Sequence, residues 1–171
     1  AHVMFADPVC HELRSALLAA ADRLAVKAHD GGTYVNMEGP QFSTRAESRL
    51  YRSWDVSVIG MTNLQEARLA REAEICYATI AMATDYDCWH EEHDDVTVEA
   101  VIEIMNRNVG HARSLIEATV PGLGPQGAGC GCGRALQFAI MTAPEKITPE
   151  ARTRLGLLID KYLARPEQPT T

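Results

Sequence analysis

The sequence lacks a cluster of basic residues, a long apolar run and an even set of cysteines. Each absence excludes something. Sixteen Lys and Arg stand against 23 Asp and Glu, a formal charge of −7, and the basic residues are scattered. Release of counterions from a phosphate backbone needs clustered cations, so a nucleic-acid partner is excluded, and an anionic membrane surface with it. No apolar stretch approaches the roughly 20 residues that span a bilayer, and no basic start leads into an apolar run with a cleavage site. A cytoplasmic protein is expected. The five cysteines, at 10, 76, 88, 130 and 132, are an odd number and do not form a secreted disulfide framework. There is no internal repeat either.

What is present suffices for a core. Apolar residues make up 46% of 171 positions, enough for one domain of ordinary size. Asp7-Pro8, followed by Leu13, Leu17, Ala20, Ala21 and Leu24 at helical spacing, predicts a helix over 8–27. Ala1 to Phe5, Thr33 to Met37 and Val56 to Ile59 read as strands. Thr44-Arg45-Ala46-Glu47 has capping-box spacing and opens a second helix to about Trp54. Asn63 opens a third, to about Ala73. Ile75 to Thr84 is almost wholly apolar, the pattern of a strand covered on both faces. Thr97 begins the longest helix, with Val98, Val101, Ile102, Met105, Val109, Ala112, Leu115 and Ile116 drawing one apolar stripe. Six glycines and two prolines make 121–133 a link. Thr148-Pro149 caps a last helix carrying Leu155, Leu158, Ile159 and Leu163. The expected organisation is a single domain portion over 1–164 with a flexible tail over 165–171. Strands alternating with helices imply a layered α/β fold. With only about four apolar strands, the chain is expected to be the second half of a larger domain.

Three polar clusters follow predicted strands, where ligands of α/β sheets sit. The first, Glu38 to Arg45, turns at Gly39-Pro40 and enters a helix whose amides suit an anion or polar ligand. The second is Gly60-Met61-Thr62-Asn63. The third runs from Thr84 to His90, where Asp85 and Asp87 share a face of an extended chain. At least one of them is expected to be partly desolvated, as a general acid requires. Each cluster, taken alone, also reads as an ordinary connection. Metal chemistry competes at the third. Cys88, His90 and His93 offer zinc ligands, and Glu91, Glu92, Asp94 and Asp95 suit harder cations. The spacing opposes it, because His90 and His93 stand three apart where the helical zinc motif needs four, and Cys130 and Cys132 are closer than in zinc knuckles. The site is read as metal-free.

Together the clusters resemble a known family. Thr33-Tyr34-Val35-Asn36-Met37-Glu38-Gly39-Pro40-Gln41-Phe42-Ser43-Thr44-Arg45 is similar to the Glu-Gly-Pro-x-Phe motif of trimeric nucleoside phosphorylases. Gly60-Met61-Thr62 and the segment Ile75 to Trp89 resemble the 5′-methylthioadenosine phosphorylases within that family. The resemblance runs from His2 to about Pro121, and more weakly through the last helix.

It implies the layered nucleoside phosphorylase fold and a pentosyltransferase, with phosphate attacking C1′ of 5′-methylthioadenosine to release adenine and 5-methylthioribose 1-phosphate, a step of methionine salvage. No cofactor is implied beyond phosphate as co-substrate. By position, Asp85 corresponds to the acid that donates to purine N7, and Asp87 to the acceptor of the 6-amino group. Phe42 corresponds to the residue stacked on the base, Met61 to the one beneath the ribose and Thr62 to a phosphate ligand. Thr84 lines the base site, and Val98 and Val101 form the methylthio wall. His2 corresponds to a residue that reaches the neighbouring subunit's pocket, so a homotrimer or hexamer is implied.

One departure matters. The family's phosphate site uses a glycine-rich first loop and an Arg-His pair, and no Arg-His dipeptide occurs here. A complementary N-terminal chain or segment is expected to supply it, and the isolated chain to be inactive. The alternatives are the same fold acting on 5′-methylthioinosine or ordinary purine nucleosides, and, from another class, a non-catalytic oligomeric assembly module. In some thermostable relatives a pair such as Cys130 and Cys132 forms a disulfide, with Cys10 and Cys76 a second candidate bridge. Reduced thiols are the competing reading.

Overall fold

The computed structural model describes residues 1–90, 98–125 and 129–163. Its helices are α1 (His11–Arg23), α2 (Arg45–Ser53), α3 (Asn63–Glu72), α4 (Val98–Thr119) and α5 (Pro149–Leu163), and its strands are β1 (Tyr34–Asn36) and β2 (Val58–Gly60). Two compact units divide the chain. One comprises Ala1–Glu12, Glu66–Ala78 and Gly124–Thr171, the other Leu13–Gln65 and Thr79–Leu123.

In the second unit β1 and β2 pair in parallel, Tyr34 opposite Val58 and Asn36 opposite Gly60, with α2 as the crossover. The predicted capping box forms: Thr44 Oγ1 accepts the Glu47 amide at 3.2 Å, and Glu47 accepts the Thr44 amide at 2.7 Å. The bonds donated to it by the Thr44 amide and the Thr44 hydroxyl hold the Glu47 carboxyl below its ordinary value. Gly60 is obligatory, because a Cβ there would sit 1.6 Å from the Tyr34 hydroxyl. Ala20, Ala21 and Leu115 form the buried cluster, with Val26, Ile80 and Ala118 packed against it. The small residues of α1 leave room for the Leu115 side chain, whose burial is worth about 2 kcal/mol.

In the first unit the organising group is Glu74. Its residue takes a left-handed φ of 58° after α3, a conformation that costs a non-glycine residue about 1 kcal/mol. Its buried carboxylate accepts the Leu136 amide at 2.8 Å, the Tyr162 hydroxyl and the Lys161 ammonium. Burial alone would raise this carboxyl, but the bonds from Lys161, Tyr162 and Leu136 together hold it below its ordinary value. The bond to Glu74 raises Lys161, while burial and the same carboxylate raise Tyr162. Elsewhere in this unit the Cys10 amide donates to Tyr77 at 2.7 Å, and Arg71 donates to the carbonyls of Met4 and Asp7.

Several sequence expectations are corrected. The first helix is shorter than 8–27, since the Cys10 amide is spent on Tyr77 and Ala25 adopts a left-handed φ of 54°. Neither Ala1–Phe5 nor Ile75–Thr84 lies in a strand, because neither finds a ladder partner among the described residues. The apolar run instead bonds piecemeal: Tyr77 receives Cys10, Thr79 donates to the Asn63 side chain at 2.6 Å and Ala83 receives Asn108 at 2.9 Å. The stripe on α4 is only partly inward. Leu115 is buried, but Ile102, Met105, Val109 and Ile116 are each about half exposed. Residues 165–171, Thr97 and Glu91 to Asp95 fall outside the described residues. No helix among those described is long and apolar enough to cross a membrane.

Candidate functional site

The three strand-end clusters meet in the second unit. Asn36, the last residue of β1, donates from its side chain to the Met61 carbonyl at 3.2 Å and accepts the Leu64 amide at 3.1 Å. One side chain thus fixes both the loop after β2 and the first turn of α3. Across from it, the Met61 thioether packs on Gly39, where a Cβ would lie 2.9 Å from the sulfur. Arg45 then reaches the Cys88 carbonyl at 2.9 Å, and the Cys88 thiol faces the Ser43 carbonyl at 3.6 Å. The Arg52 guanidinium lies 3.5 Å over the Trp89 ring. Such a stacked cation contributes about 1 kcal/mol and pins the third cluster to α2.

Within the third cluster the two carboxylates differ. Asp85 is exposed, with Oδ1 accepting the Thr84 hydroxyl at 2.7 Å. Asp87 is half-buried; Oδ1 accepts the Cys88 amide at 2.8 Å, while Oδ2 is buried and finds no partner among the described residues. The expectation that one of the pair is desolvated therefore holds at Asp87 and not at Asp85. An acceptor atom withdrawn from water without a donor costs about 1–3 kcal/mol, an arrangement that favours a ligand N–H. Tyr86 and His90 stack at 4.6 Å between centroids, with Trp89 edge-on to both, which stiffens the turn.

Of the remaining residues singled out in the sequence, Phe42 is exposed, Met61 and Thr84 are half-buried and Thr62 is exposed, all in this unit. His2 is exposed in the other unit, its amide donating to Ala139 at 2.8 Å. Val98 and Val101 lie on α4, but their side chains fall outside the described residues. At the amino terminus of α2 the capping box uses the Thr44 and Glu47 amides. For the competing metal site, His93 lies outside the described residues. Among those described, the His, Cys, Asp and Glu side chains gathered closely enough for one ion are Cys10, Cys76, Cys130 and Cys132 instead. All five cysteines are free thiols. The clamping roles of Asn36 and Arg45 went unread in the sequence. Their only local signal was a polar residue ending an apolar strand and a cation at a helix start.

The phosphorylase superfamily profile matches residues 1–121. S-methyl-5′-thioadenosine phosphorylase of Geobacter sulfurreducens is 56% identical over 163 residues, covering 95% of this chain and 57% of the relative. That of Gloeobacter violaceus is 49% identical, covering 98% and 58%. Among solved structures, a methylthioadenosine phosphorylase from an Antarctic soil metagenomic library superposes with a TM-score of 0.86 at 41% identity, covering 93% of this chain and 56% of that one. The chain spans just over half the length of the curated relatives it matches. With the strand-end clusters joined as described and the profile covering most of the sequence, the chain belongs to the phosphorylase superfamily.

Proposed function

We propose that this chain carries the nucleoside side of a 5′-methylthioadenosine phosphorylase site. The carrying observation is that, within one unit, the loop after β1 meets Met61 through Gly39 and meets the Thr84–His90 turn through the Ser43 and Arg45 contacts to Cys88. Relatives bearing that activity in their names support it. Phosphate attacks C1′, the ribosyl group becomes cationic and the purine departs with negative charge. Asp85 in its protonated form donates to N7 as the bond breaks. Because the Thr84 hydroxyl occupies Oδ1, the donated proton belongs on Oδ2.

The unpartnered Oδ2 of Asp87 accepts from the 6-amino group, which selects adenine over a 6-oxopurine. Phe42, held out in solvent, stacks on the base; Met61 lies beneath the ribose, Thr62 reaches phosphate, and Val98 and Val101 take the methylthio group. Inorganic phosphate is the co-substrate, and proton donation from Asp85 takes the place of metal or cofactor activation. His2 serves a neighbouring copy in a trimer or hexamer. A complementary N-terminal segment completes the phosphate site, consistent with the missing Arg-His pair and the half-exposed face of α4. The working compartment is the cytoplasm.

The test is phosphate-dependent release of adenine from 5′-methylthioadenosine, with 5′-methylthioinosine and adenosine as competitors, assayed with and without the complementary segment. Turnover of 5′-methylthioadenosine only when completed is expected. Preference for 5′-methylthioinosine, binding of adenine without turnover, or full activity of the chain alone would each overturn the reading.

A further inference from the structure

The first unit contains a second donor set that the phosphorylase chemistry does not use. The sulfurs of Cys10, Cys76, Cys130 and Cys132 all lie within 4.8 Å of one another, with Cys76 and Cys130 3.5 Å apart. Cys10 and Cys132 are buried, Cys76 and Cys130 half-buried. A four-thiolate zinc site with bonds of about 2.3 Å has sulfurs about 3.8 Å apart, so the four need move little to close on one ion. The backbone holds them there. The Cys10 amide bonds to Tyr77, placing Cys10 opposite Cys76, and the Leu136 amide bonds to Glu74. A tight turn over Cys132–Arg134 presents Cys130 and Cys132 from one strap, with the Cys132 amide directed at the Cys130 sulfur. Amide donors to ligand sulfurs are the usual second layer around such sites.

We propose that Cys10, Cys76, Cys130 and Cys132 form a closed structural site for a borderline-soft divalent ion, zinc by its all-sulfur tetrahedral donor set. Each thiol gives its proton to solvent as its sulfur bonds the ion, so four protons leave for one divalent ion and the site carries a net charge of about −2. With no open position, the ion activates no water. It fastens three stretches of the first unit, the chain before α1, the chain after α3 and the glycine-rich strap, and is independent of the nucleoside reading. Sequence spacing hides it, because only Cys130 and Cys132 are near neighbours.

The test uses the 171-residue chain, purified with reductant and without chelator. Metal is measured by elemental analysis, Co2+ alone is titrated into the stripped protein, and thiols are counted in denaturant with reductant removed. Expected are about one zinc per chain and the intense visible bands of tetrahedral thiolate-bound Co2+. With the ion bound, only Cys88 reacts rapidly with a thiol reagent. Cys132→Ser and Cys10→Ser lose the bands and Cys88→Ser keeps them. Should the serine variants fail to fold, the Co2+ spectrum of the unmodified chain still decides. Absence of metal and of Co2+ bands overturns the proposal, whether the thiol count is five, meaning a reduced cluster, or one, meaning two disulfides.

Discussion

Glu74 is the residue at which local strain and tertiary bonding most directly oppose each other. Glycine would relieve its left-handed backbone, yet only a carboxylate satisfies Leu136, Tyr162 and Lys161 at once. Glu74→Gly should therefore destabilise despite the easier backbone, by about 3 kcal/mol, since it orphans a buried amide and a half-buried hydroxyl. Chemical denaturation of the two proteins checks this; equal midpoints would mean the network contributes nothing. Because folding depresses the Glu74 carboxyl, its contribution is present above the ordinary glutamate value and lost as pH falls through the lower folded value. Unfolding at pH 7 and near pH 3 should show a smaller gap between Glu74→Gln and the unmodified chain at the lower pH. None of this was legible in the sequence, where Glu74 only follows the expected end of the third helix. The acid pair was half legible. Its placement after an apolar run marked it, but which carboxylate is withdrawn from water depends on the turn at Cys88.

Elements were readable where their signals are local. Thr44 and Glu47 specify the start of α2, and Thr148, whose hydroxyl accepts the Ala151 amide at 3.2 Å, that of α5, whereas the Leu64 amide in the first turn of α3 is taken by the distant Asn36 side chain. Strands depend on partners distant in sequence, which is why Tyr34–Asn36 and Val58–Gly60 pair while the more apolar Ile75–Thr84 does not. The joint between β1, β2 and α3 rests on Asn36. Asn36→Ala should cost about 1–3 kcal/mol through the orphaned Leu64 amide and raise KM for the nucleoside in the completed enzyme by releasing Met61. An unchanged KM with lowered stability would place Asn36 outside the site. Leu115→Ala should cost about 3 kcal/mol with no specific effect on substrate binding, measured by denaturation and adenine affinity.

For the whole molecule, the buried apolar set is thin. Among the described residues it includes Leu115 and Leu136 but is otherwise alanine and cysteine, while Phe42, Phe138, Leu157 and Met4 are more than four-fifths exposed. So little burial supports only marginal stability. The chain alone should bind a hydrophobic dye and unfold at low denaturant, and adding the complementary segment should quench the dye and raise the midpoint in a concentration-dependent way. A steep, dye-free transition of the chain alone would show that its core is complete. The functional claim rests on Asp85, and its most direct test is kcat/KM of the completed enzyme and its Asp85→Asn variant for 5′-methylthioadenosine and 5′-methylthioinosine. Loss of about 10²- to 10⁴-fold on the first substrate is the predicted result. An undiminished rate on 5′-methylthioadenosine would contradict the assignment.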